Sequence, residues 1–120
     1  MPKAIFSEGN LDVLKRSLDA YALRQRVIAE NVAQVETPGY RARSVSFEQE
    51  LARAIERGDQ SLPQPQVLER SPLTTDNGIN DVDLEQEMAL LAETNLRHKL
   101  TTRVLAMRYQ LLRSAIRGRG

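Results

Sequence analysis

The chain of 120 residues contains one histidine, His98, and no cysteine. A histidine can serve as a metal ligand or as a general base, but each role needs company at a suitable spacing: further ligands for the first, a nucleophile for the second. No second His, Cys or spaced carboxylate stands in such a relation to His98, which falls on a helical stripe and is expected to be a seam or interface residue. The missing cysteine excludes thiol nucleophiles, thiolate metal sites and disulfide scaffolds. The Asp and Glu residues occupy capping and surface positions. We therefore expect no catalytic residue, no metal, no cofactor and no enzyme.

Charge is the remaining chemistry. Lys and Arg total 17 against 16 Asp and Glu, a formal net charge of +1, which argues against a general nucleic-acid-binding surface. The distribution is uneven, since Arg97, Lys99, Arg103, Arg108, Arg113, Arg117 and Arg119 follow one another with no acid after Glu93. No aromatic or glycine motif for base contact accompanies them, so no nucleic-acid partner is expected. The acidic front of this segment could instead meet the basic rear of a neighbour.

The elements that carry these charges are two long runs without Pro or Gly, separated by a turn and a breaker-rich middle. Pro38 removes a donor and pushes Thr37 out of the α region, so a preceding helix stops by Thr37. Pro38-Gly39 suits the centre of a type II turn, with Gly39 taking the positive φ, and Tyr40 follows as an aromatic with a polar tip. Before the turn, Leu11, Leu14, Leu18, Tyr21, Gln25, Ile28, Val32 and Val35 recur at spacings of three and four, a heptad seam with one polar interruption. Asn10 is the candidate N-cap of this arm.

The middle starts extended over 41–45. Ser46 and Gln49 give a capping-box signal, with Phe47, Leu51, Ala54 and Ile55 on one face of a short helix closed by Gly58. From Asp59 to Asn80 the chain is rich in breakers, with room for a brief strand at Val67 and Leu68; it is expected to be mobile and to add nothing to a core. Asp83 and Gln86 can cap the second arm, whose seam reads Leu84, Met88, Leu91, Asn95, His98, Thr102, Leu105, Tyr109, Leu112, Ile116. A second stripe, Leu96, Leu100, Val104, Met107 and Leu111, lies on another face. A helical hairpin cannot cover both stripes, so the leftover one is expected to be an assembly interface.

The expected fold is mainly α: two long terminal helices pairing as an antiparallel hairpin or coiled coil around a variable, partly disordered middle with a short helix. The divisions are a flexible lead at 1–10, an N-terminal arm at 11–36, a turn motif at 37–43, the middle at 44–82 and a C-terminal arm at 83–117. No segment approaches the apolar length of a membrane span, and the N-terminus lacks the apolar core of a cleavable signal.

Three segments resemble a known family. Leu23-Arg24-Gln25-Arg26-Val27-Ile28-Ala29-Glu30-Asn31-Val32-Ala33, running into Thr37-Pro38-Gly39-Tyr40, resembles the N-terminal signature of bacterial flagellar rod and hook proteins. Asn80-Asp81-Val82-Asp83-Leu84-Glu85-Gln86-Glu87-Met88 is similar to the segment that opens their C-terminal helix, and Leu112–Arg119 is most like the proximal rod branch. Gln34 and Glu36 depart from the short Asn or Asp usual there, which bears on how the first helix is capped. The resemblance implies a structural subunit of the periplasmic rod of the flagellar basal body. It further implies export through the flagellar type III apparatus without a cleavable signal, and no direct membrane insertion. Its implied partners are further copies of itself, other rod proteins, the basal-body ring and the rod-base adaptor. The competing expectation is a cytoplasmic coiled-coil adaptor or export chaperone, which has no need of the Thr-Pro-Gly-Tyr turn.

Overall fold

The structure, a computed structural model, describes residues 8–70 and 76–118. Residues 1–7 of the expected lead and Arg119 lie outside the described residues. The elements are α1 (Glu8–Ala33), β1 (Arg43–Ser46), α2 (Glu48–Arg57), β2 (Gln66–Glu69) and α3 (Leu84–Arg117). The molecule is elongated, 64 × 27 × 16 Å.

The first arm starts earlier than Asn10 as N-cap would allow, because α1 already includes Glu8, Gly9 and Asn10. First-turn N–H groups have no intrahelical partner anyway, so a glycine there costs little more than its own entropy, about 1 kcal/mol. The arm also stops short of residue 36. Beyond Ala33 it unwinds through Gln34 N–H to Asn31 O (3.2 Å), Val35 N–H to Val32 O (3.2 Å) and Thr37 N–H to Gln34 O (2.9 Å), the tightened bonds common at helix ends. The turn then closes with Tyr40 N–H donating to Thr37 O at 3.2 Å and Gly39 at φ +76°, as a type II turn requires.

The two arms lie antiparallel, since the pairs Asn31–Glu87, Gln25–Asn95 and Lys15–Tyr109 advance along α1 in the direction opposite to α3. None of the α1 seam residues from Leu11 to Val35 is exposed. The α3 seam differs from expectation. Leu84, Met88, Asn95, Thr102, Tyr109 and Ile116 are exposed, and the protected positions are Glu87, Leu91, Thr94, His98, Thr101, Leu105, Arg108 and Leu112, with Leu90 beside them. These repeat at the same heptad spacing but turned by about one residue, because the buried carboxylate of Glu87 fixes the rotation of the helix about its axis.

The middle supplies more structure than its composition announces. β1 and β2 pair antiparallel with Arg43 opposite Glu69 and Ser46 opposite Gln66. A two-stranded ribbon is marginal alone, and here Val45 and Phe47 turn inward onto a second stripe of α1 that includes Ala20 and Val27. The core cluster is Ala20, Phe47 and Leu51, with Val13 and Leu62 packed against it. Leu62 therefore contributes to the core from a segment expected to add nothing, and Asn80 is buried at the segment's end.

The Ser46–Gln49 capping box does not form. Ser46 is the last residue of β1 and its hydroxyl bonds Glu50 (3.0 Å), while Phe47 occupies the cap position without a side-chain cap. Phe47 must face inward, which fixes where the helix begins. Ile55, expected on the buried face, is 53% exposed. Gly58 ends α2 at φ +70°, with Gly58 N–H to Ile55 O (3.1 Å) and Asp59 N–H to Ala54 O (3.0 Å), a Schellman closure.

Candidate functional site: a clasp at the turn and an open helix face

Asn31 lies beside the α1 seam and is fully buried. Its amide makes four bonds: Nδ2 donates to Arg43 O (2.8 Å) and Glu87 Oε2 (3.1 Å), while Oδ1 accepts from Tyr40 Oη–H (2.9 Å) and Arg43 N–H (3.1 Å). Donors and acceptors match only one orientation of the amide. One side chain thus ties α1 to the turn, to β1 and to α3 at a sequence separation of 56.

The second part of the clasp is the loop before α3. Asn80 Nδ2 reaches Gln34 O (2.8 Å), Thr37 O (2.8 Å) and Val35 O (3.2 Å), and its Oδ1 accepts from Val82 N–H (2.9 Å). The carbonyls of the turns that follow α1 are therefore held from a distant segment, and the side chains of Gln34 and Glu36 are not needed for that. Asn77 shapes the loop. Its Oδ1 accepts from Ile79 and Asn80 N–H (2.8 and 2.9 Å) and its Nδ2 donates to Val82 O (2.9 Å). Asp81 Oδ1 accepts from Ala42 N–H at 2.6 Å. Asp83 caps α3, accepting from Glu85 and Gln86 N–H at 3.0 and 3.3 Å, and Glu85 stands in the first turn where the macrodipole favours an acid.

The turn motif and the helix-start motif are thus one assembly of contacts. Asn31, Asn80, Val82 and Glu87 are buried, Tyr40 and Asp83 are half-buried, and Thr37, Pro38, Gly39, Leu84 and Met88 are exposed. Residue spacing missed two further members. Arg70 forms an ion pair with Glu87, and no sequence signal marks it. Arg24 forks onto Glu48, Nη1 to Oε2 at 2.7 Å and Nη2 to Oε1 at 2.6 Å, with Nη2 also on Val45 O at 2.9 Å. Its place on the stripe Val13, Ser17, Ala20, Arg24, Val27, Asn31, itself spaced by four and three, was the available signal. The bidentate bond to Arg24 holds the Glu48 carboxyl below the usual range, and Glu48 in turn raises the Arg24 guanidinium.

The third set of residues stands apart from the clasp. Leu96, Leu100, Val104, Met107 and Leu111 are 57, 52, 37, 60 and 50% exposed. The middle covers α1 and leaves this face of α3 open. Among the described residues no group of three or more His, Cys, Asp or Glu is placed to hold a metal, and no helix is long and apolar enough to cross a membrane.

No protein-family model matches the chain. Individual relatives do. The chain is 30% identical over 120 aligned positions to the flagellar basal body rod protein FlgB of Borreliella burgdorferi, covering 82% of this chain and 89% of that protein. It is 29% identical over 132 positions to FlgB of Borrelia hermsii, covering 92% and 97%, and 26% identical over 128 positions to FlgB of Bacillus subtilis, covering 96% and 98%. With near full-length likeness across distant bacteria, and with the two terminal motifs joined in one buried clasp, the chain belongs to the FlgB family of flagellar basal body rod proteins.

Proposed function

We propose that this protein is a structural subunit of the proximal rod, assembling through its terminal helices into the periplasmic tube that transmits torque, and required for flagellum assembly and motility. The observation that carries the reading is the apolar ribbon Leu96, Leu100, Val104, Met107 and Leu111, exposed along a helix whose other face packs on α1. A continuous apolar face of this kind marks a surface that needs a partner, and association with partners stabilises the fold by mass action. The clasp supports the same reading from the other end, because it fixes the angle at which the two arms leave the turn and hence the shape offered to neighbours. The neighbours are further copies of the subunit, other rod proteins, the ring and the rod-base adaptor, reached through the flagellar type III export apparatus. The role is structural, with no reaction to catalyse.

The test is the double variant Leu100→Gln/Met107→Gln. Both side chains are more than half exposed, so thermal stability of the free chain should change by no more than about 0.5 kcal/mol. Recovery with purified basal bodies and motility should both be lost. A motile strain whose variant protein still co-purifies with basal bodies would remove the assembly role of this ribbon.

A further inference from the structure

The clasp contains one group, the Arg70 guanidinium, that the sequence motifs do not supply. Glu87 is fully buried at the start of α3, and the Arg70 side chain beside it is 9% exposed. One Glu87 oxygen accepts from Asn31 and the other pairs with Arg70. Arg70 follows β2, and its N–H donates to Ala42 O at 3.0 Å, adding a rung to the β1–β2 ladder. Arg41 Nη2 also donates to Arg70 O at 3.1 Å, and Ala42 N–H is held by Asp81. The place of the Arg70 guanidinium is therefore dictated by closure of the hairpin in the middle of the chain.

We propose that Arg70 is a positioning residue for the clasp: by neutralising Glu87 in the interior it makes docking of the two arms at the turn conditional on closure of the β1–β2 hairpin. A buried carboxylate needs a cation, because removing one partner of such a pair leaves an uncompensated charge in a poorly solvated site. The neutral Asn31 amide cannot supply that compensation. Without Arg70, Glu87 is left as an uncompensated buried charge, and carrying the first turn of α3 away from Asn31 relieves it by giving the carboxylate access to water. The hairpin is thus coupled to the helical arms by charge as well as by packing. This inference concerns the single subunit and stands whether or not the rod reading does.

The 120-residue chain has no cysteine, so Ala33→Cys and Gln86→Cys, both exposed and with no side-chain part in the clasp as described, give unique sites for spin labels on the two arms. With native Arg70 the distance distribution between them should be narrow. Arg70→Met should broaden it toward longer distances, Arg70→Lys should keep it narrow, and Arg70→Met combined with Glu87→Gln should recover most of the narrow peak, since replacing both members of a buried pair is often tolerated. Leu68→Pro should also broaden it. Leu68 is exposed and lies outside both arms' motifs, but ladder alternation from the Arg70–Ala42 rung makes Leu68 N–H a donor to β1. If Arg70→Met fails to fold, recovery of helical circular dichroism on adding Glu87→Gln supports the proposal, and no recovery overturns it. An unchanged distribution in Arg70→Met, or a double variant no better than the single one, overturns it as well.

Discussion

Replacing Asn31 is the sharpest perturbation of the clasp. Its four hydrogen bonds join α1, the turn, β1 and α3. At about 1 kcal/mol net for each bond, Asn31→Ala would forfeit about 4 kcal/mol. Tyr40 and Arg43 are half-buried, so water can reach part of what they lose, and the expected loss is about 3 kcal/mol. In a domain of this size that lowers Tm by about 12 °C. Asn31→Asp keeps the shape and the two accepted bonds but points oxygen where Nδ2 donated, at Arg43 O and at the Glu87 carboxylate. It should therefore cost more than alanine at neutral pH, and the gap should close at acid pH as the introduced aspartate takes up a proton. Urea unfolding followed by far-ultraviolet circular dichroism, repeated across pH, measures all of this. A loss below about 1 kcal/mol for Asn31→Ala, or an aspartate variant no worse than alanine at pH 7, would refute the view that this amide joins the arms.

Two further outcomes follow from the packing and the ion pairs. Phe47→Ala should cost about 3–5 kcal/mol in a single unfolding transition, because Phe47 joins the middle to Ala20 of α1; separate transitions for middle and arms would contradict that. The folded-state pKa of Glu48 is depressed, chiefly by its hydrogen bonds to Arg24, so the unfolded chain binds the proton more readily. The stabilisation is present above the ordinary glutamate value of about 4.3 and is lost as pH falls through the lower folded value. Arg24→Met should flatten stability against pH in that acid window, by less than about 1 kcal/mol since the Glu48 side chain is 42% exposed; an unchanged slope would count against the pair.

Much of the fold was legible because it depends on local rules. Absence of Pro and Gly set the two long helices, Pro38-Gly39 set the turn, Gly58 ended α2 and Asp83 began α3. Spacing also separated an open stripe, Leu96 to Leu111, from the rest of α3. The α1 seam was legible for the same reason, since apolar residues at three and four repeat the geometry of the helix itself.

What the sequence left open was every choice made between distant segments. Leu84, Met88 and Tyr109 read as seam residues by apolarity, yet the helix turned them outward, because burying Glu87 against Asn31 and Arg70 fixed its rotation. Asn10 and Ser46 had the chemistry of helix caps, but α1 extends past the first and β1 ends on the second. Asn80 holds the turns beyond a helix that ended more than forty residues earlier, and Arg70 finds its carboxylate only through the closure of a hairpin. Local sequence determines which segments become helices and where they end, since those energies act within a turn or two. Which polar side chains meet in the interior depends on desolvation and charge compensation between segments remote in the chain, and that only the tertiary structure decided.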